Sequence, residues 1–502
     1  GFDPNRVPTQ PAYDAGVKAM QELIDNYKAQ HGRYPQKLTF TLWSTETMRH
    51  LGMLEAQIFW ALGVKPVWDR GGRVTAIEAI PQQELGRPRI DVVISLTGLY
   101  RDQFPVVMER FNEAVMLVAA LKEPKEFNFV RANTERIRAE LLAQGIPAEQ
   151  AENHALTRVF GTESGDYGTK LPKATLGSDQ WEEGDGKLEE LYLSRMSWAY
   201  GPDASQWSRK LTDAEGKVVN TYAQHLKGTD AAVFSRSSNL RGLLDTDHPF
   251  EYLGGISMAV KYLDGEAPQL YISNMRDPRK ARLQDAANFM AMELRSVYQH
   301  PNWVKEMMQE DYAGTLNMLK TINNFWGWQV MDRNVVRDDQ WQAFHEVYVK
   351  DKYELGLREW FEQSNPTALA QISERMIEAI RKGYWEASDE TLRELVEVYT
   401  EIAAKHDVYT ENRTFAQFVA DKAAGYGISA APSPDQASSA ATPPEGTSEP
   451  QPQGEQVSGQ KLEEVSQEVQ DSPVDYWLFA LLLPIMAGIW QQGRLARTRM
   501  ES

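Results

Sequence analysis

The 502-residue chain contains no cysteine. That absence removes thiolate metal ligands, iron–sulfur clusters, cysteine nucleophiles and disulfides together. No glycine-rich phosphate fingerprint follows any strand-like run, so the chain is read as binding no nucleotide. Positive charge is scarce: 53 Lys and Arg stand against 71 Asp and Glu, a formal net charge of −18. Such a surface repels phosphate backbones, which argues against nucleic acid as a partner. No signal peptide is visible, and the chain opens on Gly1-Phe-Asp-Pro4 rather than Met. It reads as the C-terminal piece of a longer precursor.

What is present suffices for two or three cores: 42% hydrophobic residues, 10% aromatic, and 14 Trp. Residues 1–130 follow the grammar of an open parallel sheet. A helix over 13–30 precedes a strand at 37–43, which ends in the polar turn Ser44-Thr45-Glu46-Thr47. Apolar residues at Met48, Leu51, Leu54, Ile58, Phe59 and Leu62 then keep helical spacing. The nearly continuous apolar run 90–96 reads as a strand buried on both faces. It passes through the loop Thr97–Asp102 into a helix over 105–121. Ligands of such sheets lie beyond the carboxyl ends of the strands, where these two loops fall.

From 131 to 429 the pattern turns mainly helical, with a strand-like 269–274. Trp303, Trp326, Trp328, Trp341 and Trp360 are spread through it and read as core. The fold class is therefore α/β followed by a mainly helical region. Residues 430–473, rich in Pro, Ser, Gln, Ala and Glu, read as a disordered linker. Residues 474–491 are apolar with aromatics near both ends and read as one transmembrane helix, near the lower limit of ~17 residues for a span. A short basic tail, 492–502, carries Arg494, Arg497 and Arg499. The positive-inside rule puts that tail in the cytoplasm and the folded body on the periplasmic side of the inner membrane.

Two stretches carry chemistry. Arg241-Gly-Leu-Leu-Asp245-Thr-Asp247-His248-Pro-Phe-Glu251-Tyr252-Leu-Gly254-Gly255 gathers carboxylates, an imidazole and a phenol. Asp245, Asp247 and His248 offer hard oxygen and nitrogen ligands, and His248 a proton shuttle near neutral pH. Pro249 disfavours a regular helix through the residues before it, so the polar groups fall on a loop with a helix starting near Gly255. The same residues also fit a helix cap at Asp247 and a surface histidine. The second stretch, Arg158 to Gly168, holds Gly161, Gly165 and Gly168, a backbone of unusual geometry or one that admits a flat ligand.

Nine collinear pieces over about residues 1–390 resemble the large, porphyrin-binding subunit of cobaltochelatase and magnesium chelatase. They are Gly1–Pro4, Leu42-Trp43 with its turn, Leu85–Val93, Leu96–Gly98 with Arg101-Asp102, and Arg158–Gly168. Ser197–Gly201, Leu244–Asp247 with Gly254-Gly255, Pro301–Trp303 and Asn324–Trp328 complete the set. The resemblance implies a protein that holds a flat tetrapyrrole in a cleft and moves a metal into or out of it. The family pattern matches Asp245 and Asp247, and by residue type the catalytic candidates are Asp245, Asp247, His248, Glu251 and Tyr252, the first three also for handling metal. The pattern also matches Gly161, Gly165, Tyr167 and Gly168 as tetrapyrrole contacts, to which Arg101, Glu163 and Arg241 are added as candidates, the two arginines for pairing with ring carboxylates. The cobaltochelatase pattern has a His-Asp pair where this chain has Arg241-Gly242, and an acid where it has His248.

With the expected membrane segment, the resemblance points to anchored relatives that remove iron from haem beside haem-uptake transporter components. The alternatives are an ATP-dependent cobaltochelatase large subunit, which inserts cobalt into a corrinoid with AAA+ partners, and a non-catalytic haem or corrinoid carrier.

Overall fold

A computed structural model of the chain describes residues 2–429, which belong to one compact unit. Eleven short strands are present among them: β1 (Lys37–Leu42), β2 (Val64–Trp68), β3 (Val74–Ala79), β4 (Asp91–Leu96), β5 (Val159–Gly161), β6 (Trp198–Ala199), β7 (Leu211–Thr212), β8 (Val218–Val219), β9 (Ala231–Arg236), β10 (Gln269–Asn274) and β11 (Arg282–Asp285). Seven of them form one sheet in the order β11-β10-β9-β1-β4-β5-β6. The pairs from β10 through β5 are parallel, and β11 and β6 close the two edges antiparallel. The architecture is thus mixed α/β with a parallel-rich sheet and many helices, and the sheet draws strands from both sides of residue 130.

Every residue of β1, β4 and β9 is buried, as expected where helices cover both faces of a parallel sheet. Because successive side chains point to opposite faces, alternate residues feed two cores. Leu38, Phe40, Leu42, Val92, Ile94 and Leu96 pack with the helices Gln10–His31, Met53–Leu62 and Pro105–Ala120. Val93, Phe160, Ala232 and Phe234 face the larger helical core, which holds the fully buried Trp326, Trp328 and Trp341. Each such side chain contributes about 1.5–3 kcal/mol on burial.

The two polar turns expected at strand ends are instead helix beginnings. Ser44–His50 and Gly98–Gln103 are helices that start within two residues of the ends of β1 and β4. Ser44, Glu46 and Thr47 are buried there, because the chain folds back over the sheet edge at once.

One expectation is corrected outright. A single-pass inner-membrane protein with a periplasmic body does not follow, since among the described residues no helix is long and apolar enough to cross a membrane. The longest helices, Gln10–His31 and Asp311–Met331, carry exposed charged and amide residues such as Lys18, Asp25, Asn317 and Lys320 between their buried ones. The expected linker 430–473, transmembrane helix 474–491 and tail 492–502 lie outside the described residues.

The central strands are tied to the helices behind them by a buried ion pair. Arg158 Nε donates to Asp91 Oδ1 at 2.7 Å, both side chains fully buried, and Arg158 also bonds Ala155 O and Thr134 Oγ1. Removing one partner strands a charge in the interior. Asp91→Ala is expected to lower stability by about 3–5 kcal/mol, read as a fall in denaturation midpoint against wild type.

Candidate functional site

The chain leaves β1 toward β4 on one side and leaves β9 toward β10 on the other. The carboxyl ends of β1 and β9 therefore mark the topological switch point, where ligands of open α/β sheets bind. A cleft of about 270 Å³ opens there, mostly apolar. Trp43 stands at the end of β1, Thr97 and Gly98 at the end of β4, and Tyr167, His248 and Tyr252 arrive from later loops. Trp43 meets His248 edge-on at 5.7 Å between ring centroids and Tyr252 at 6.1 Å. Gly98 is required by close approach, since a Cβ there would lie 2.4 Å from Tyr167 Cδ1.

The glycine turn is pinned from below by Arg101, itself buried. Its Nη1 donates to Thr162 Oγ1 at 3.1 Å and to the carbonyls of Thr162, Glu163 and Asp166, while Nε donates to Asp102 Oδ1 at 2.7 Å. Nε and Nη1 are thus committed to the protein, while Nη2 is buried without a hydrogen-bond partner among the described residues. Tyr167 is half exposed, lies over Arg101, and donates its hydroxyl to Asp102 Oδ2 at 2.6 Å. Arg195 holds the far side through Gly168 O and Asp166 Oδ2. Gly161 belongs to β5, Gly165 and Gly168 take positive φ, and Glu163 is exposed.

Buried charges clamp the acidic loop. Glu46 accepts from Ser237 N at 2.7 Å and Ser237 Oγ at 2.6 Å, and Arg236 Nη2 donates to Gly242 O. Glu293 accepts from Leu243 N at 2.6 Å and from Arg276. Asp245 is engaged as well: its carboxylate accepts from Gly242 N and from the Tyr298 hydroxyl at 3.0 Å. The chain then enters a π-helical turn, Phe250–Gly254, before the α-helix Gly255–Asp264. In that turn Glu251 is buried, and its Oε1 accepts from Thr169 N and Oγ1, which joins the acidic loop to the glycine turn. Burial pushes the Glu251 carboxyl and the Tyr252 phenol up.

The loop's polar residues do not converge. His248 and Tyr252 line the 270 Å³ cleft, Asp247 a separate groove of about 630 Å³, and Asp245 with exposed Arg241 a third of about 370 Å³. Among the described residues no group of three or more His, Cys, Asp or Glu could hold a metal ion. Asp247 and His248 do meet, with Nδ1 and Oδ1 2.7 Å apart. Sequence reasoning passed over Trp43 as a cleft wall and over the supports Glu46, Arg236, Glu293, Tyr298 and Thr169. An acid inside a turn at a strand end was the available signal for Glu46; nothing local marks Glu293.

The hydrogen bond to Asp247 holds the His248 imidazole above its ordinary 6.5, and the same bond holds Asp247 below its ordinary 3.8. The pair is therefore charged between those values. Its contribution fades as pH rises through the folded His248 value, and again as pH falls through the folded Asp247 value. In Asp247→Asn the His248 midpoint is expected to fall back toward 6.5, measured by an NMR titration of the imidazole resonances.

The CobN/Magnesium Chelatase family profile matches residues 1–392. The aerobic cobaltochelatase subunit CobN of Sinorhizobium sp. is 30% identical over 385 residues, covering 76% of this chain and 29% of that protein. The chloroplastic magnesium-chelatase subunit ChlH of Oryza sativa subsp. indica is 30% identical over 407 residues, covering 80% and 28%. A solved structure, the catalytic subunit of cobaltochelatase from Mycobacterium tuberculosis, superimposes with a TM-score of 0.71 at 30% identity over 80% of this chain and 32% of that one. The chain spans about a third of the length of these relatives. On a match that covers most of its length, this chain belongs to the CobN/magnesium chelatase family.

Proposed function

We propose that the chain supplies part of a tetrapyrrole site in a metal chelatase, and that His248 is the proton acceptor during metal insertion. Insertion of a divalent metal into a free-base ring releases two pyrrole N–H protons, so a base beside the ring lowers the barrier. One observation carries the reading. Among the described residues lining the cleft, His248 is the only imidazole or carboxyl group. Its Nδ1 is taken by Asp247, which leaves Nε2 to exchange a proton. Trp43, Tyr167 and Tyr252 offer aromatic walls to a flat ring. Glu251 positions the turn that carries His248.

The metal is substrate. The relatives are named for cobalt and magnesium, and cobalt or magnesium is proposed here, with AAA+ chelatase subunits as partners. Iron removal from haem is the same exchange run backwards. It rested on a membrane placement that does not stand, as did the haem-uptake transporter partners, so insertion is the reading adopted. Asp247 and His248 could hold the metal in transit, while Asp245 is a brace for the loop.

The test uses the full chain with AAA+ chelatase subunits, ATP, a metal-free tetrapyrrole, and Co²⁺ or Mg²⁺, followed by absorbance. His248→Ala is expected to keep ring affinity within about threefold while insertion falls by about 10²–10⁴-fold. A wild-type chain that binds no tetrapyrrole, or a His248→Ala variant that inserts metal at the wild-type rate, overturns the proposal. Iron release from added haem without ATP would reverse the direction.

A further inference from the structure

The expected reader of ligand carboxylates, Arg101, is buried, with its Nη1 held by the glycine turn. A tetrapyrrole with acidic side chains would still need cations, because the chain's net charge of −18 repels it. The 630 Å³ groove on the other side of the acidic loop supplies them. Its floor is Phe250, Leu176, Leu316 and Leu319, and its rim carries Lys173 and Lys320. Lys173 comes from the helix Leu171–Leu176, which follows the glycine turn directly, and Lys320 from Asp311–Met331. Among the described residues neither ammonium makes an ion pair or hydrogen bond.

Leu176 and Leu316 are 38% and 43% exposed, large apolar groups left to water beside two uncommitted cations. Asp247, the partner of His248, borders the same groove, and the Lys320 charge helps keep its carboxylate ionised. The acidic loop is thus a shared wall, with His248 facing the cleft and Phe250 and Asp247 facing the groove.

We propose that this groove binds an amphipathic anion, a flat apolar body bearing carboxylates, with Lys173 and Lys320 as the anion contacts. Resting on the chelatase reading, the occupant is the carboxylate-bearing edge of the tetrapyrrole. The apolar edge covers the leucines, and each lysine takes one carboxylate as a point charge. The lysines set which rings this groove accepts, by charge.

The experiment compares a free-base porphyrin dicarboxylate with its dimethyl ester in fluorescence titrations of the full chain. Wild type is expected to bind the diacid about tenfold more tightly than the ester, two partly exposed charge contacts together, and the ratio should shrink as salt rises. In Lys173→Gln/Lys320→Gln the ratio should drop to within about twofold, with ester affinity unchanged. Glutamine keeps helix propensity at both positions, and circular dichroism reports that the fold is intact. Equal wild-type affinity for acid and ester, or an unchanged ratio in the double variant, overturns the proposal. If neither ring binds, the chelatase reading fails. Anilinonaphthalene sulfonate then reads the groove alone: lysine-dependent binding keeps the anion groove, and lysine-independent or absent binding ends it.

Discussion

Glu46 is a carboxylate with almost no exposure, placed where the ends of β1 and β9 diverge. Its bonds to Ser237, with the neighbouring Arg236 bonding Gly242 O, tie the first turn after β1 to the loop after β9. A buried charge without partners is costly, and one with several is rigid. The acidic loop can therefore project from the sheet edge without collapsing into it. The position of His248 in the cleft depends on that clamp, and on Glu293 and Tyr298 further along the loop.

Much of the sheet was legible from its strand patterns: 37–43 alternates Leu38, Phe40 and Leu42 with Lys37, Thr39 and Thr41, and 90–96 is nearly continuously apolar. β9 was not read as a strand, although it lies at the centre of the sheet beside β1. Ala231-Ala-Val-Phe-Ser-Arg236 is short, opens with two alanines and shows no alternation, so its strand character comes from pairing with β1 and β10. β5 and β6, three and two residues long, likewise exist only through their neighbours. Missing β9 hid the fact that the acidic loop follows a central strand.

The candidate site was legible in composition and not in geometry. Residues close together in Asp245–Glu251 look like one cluster on paper. The local turn and the clamps divide them: Asp245 goes into a hydrogen bond with Tyr298, Asp247 and His248 stay bonded to each other but line different cavities, and Glu251 turns inward to Thr169. Arg101 shows the same limit. An arginine at a strand end suits an anionic ligand by type, but four acceptors of the glycine turn surround its Nη1. Side-chain type proposes a role, and the hydrogen-bond partners already in place decide it.

Under the proposed role one base must serve two protons. His248 is 55% exposed at its side chain, and its only hydrogen-bond partner among the described residues is Asp247. A buried imidazole would be a poor acceptor, because burial disfavours its charged form, as at His50 and His154. A half-exposed one, held in place by a carboxylate, can pass the first proton to water and accept the second. Its raised pKa favours capture, and its exposure favours release. The nearby Glu251 could not substitute, because it is buried outside the cleft lining and its Oε1 is occupied by Thr169. The structure thus separates a fixed, buried acid that shapes the loop from an exposed imidazole able to cycle.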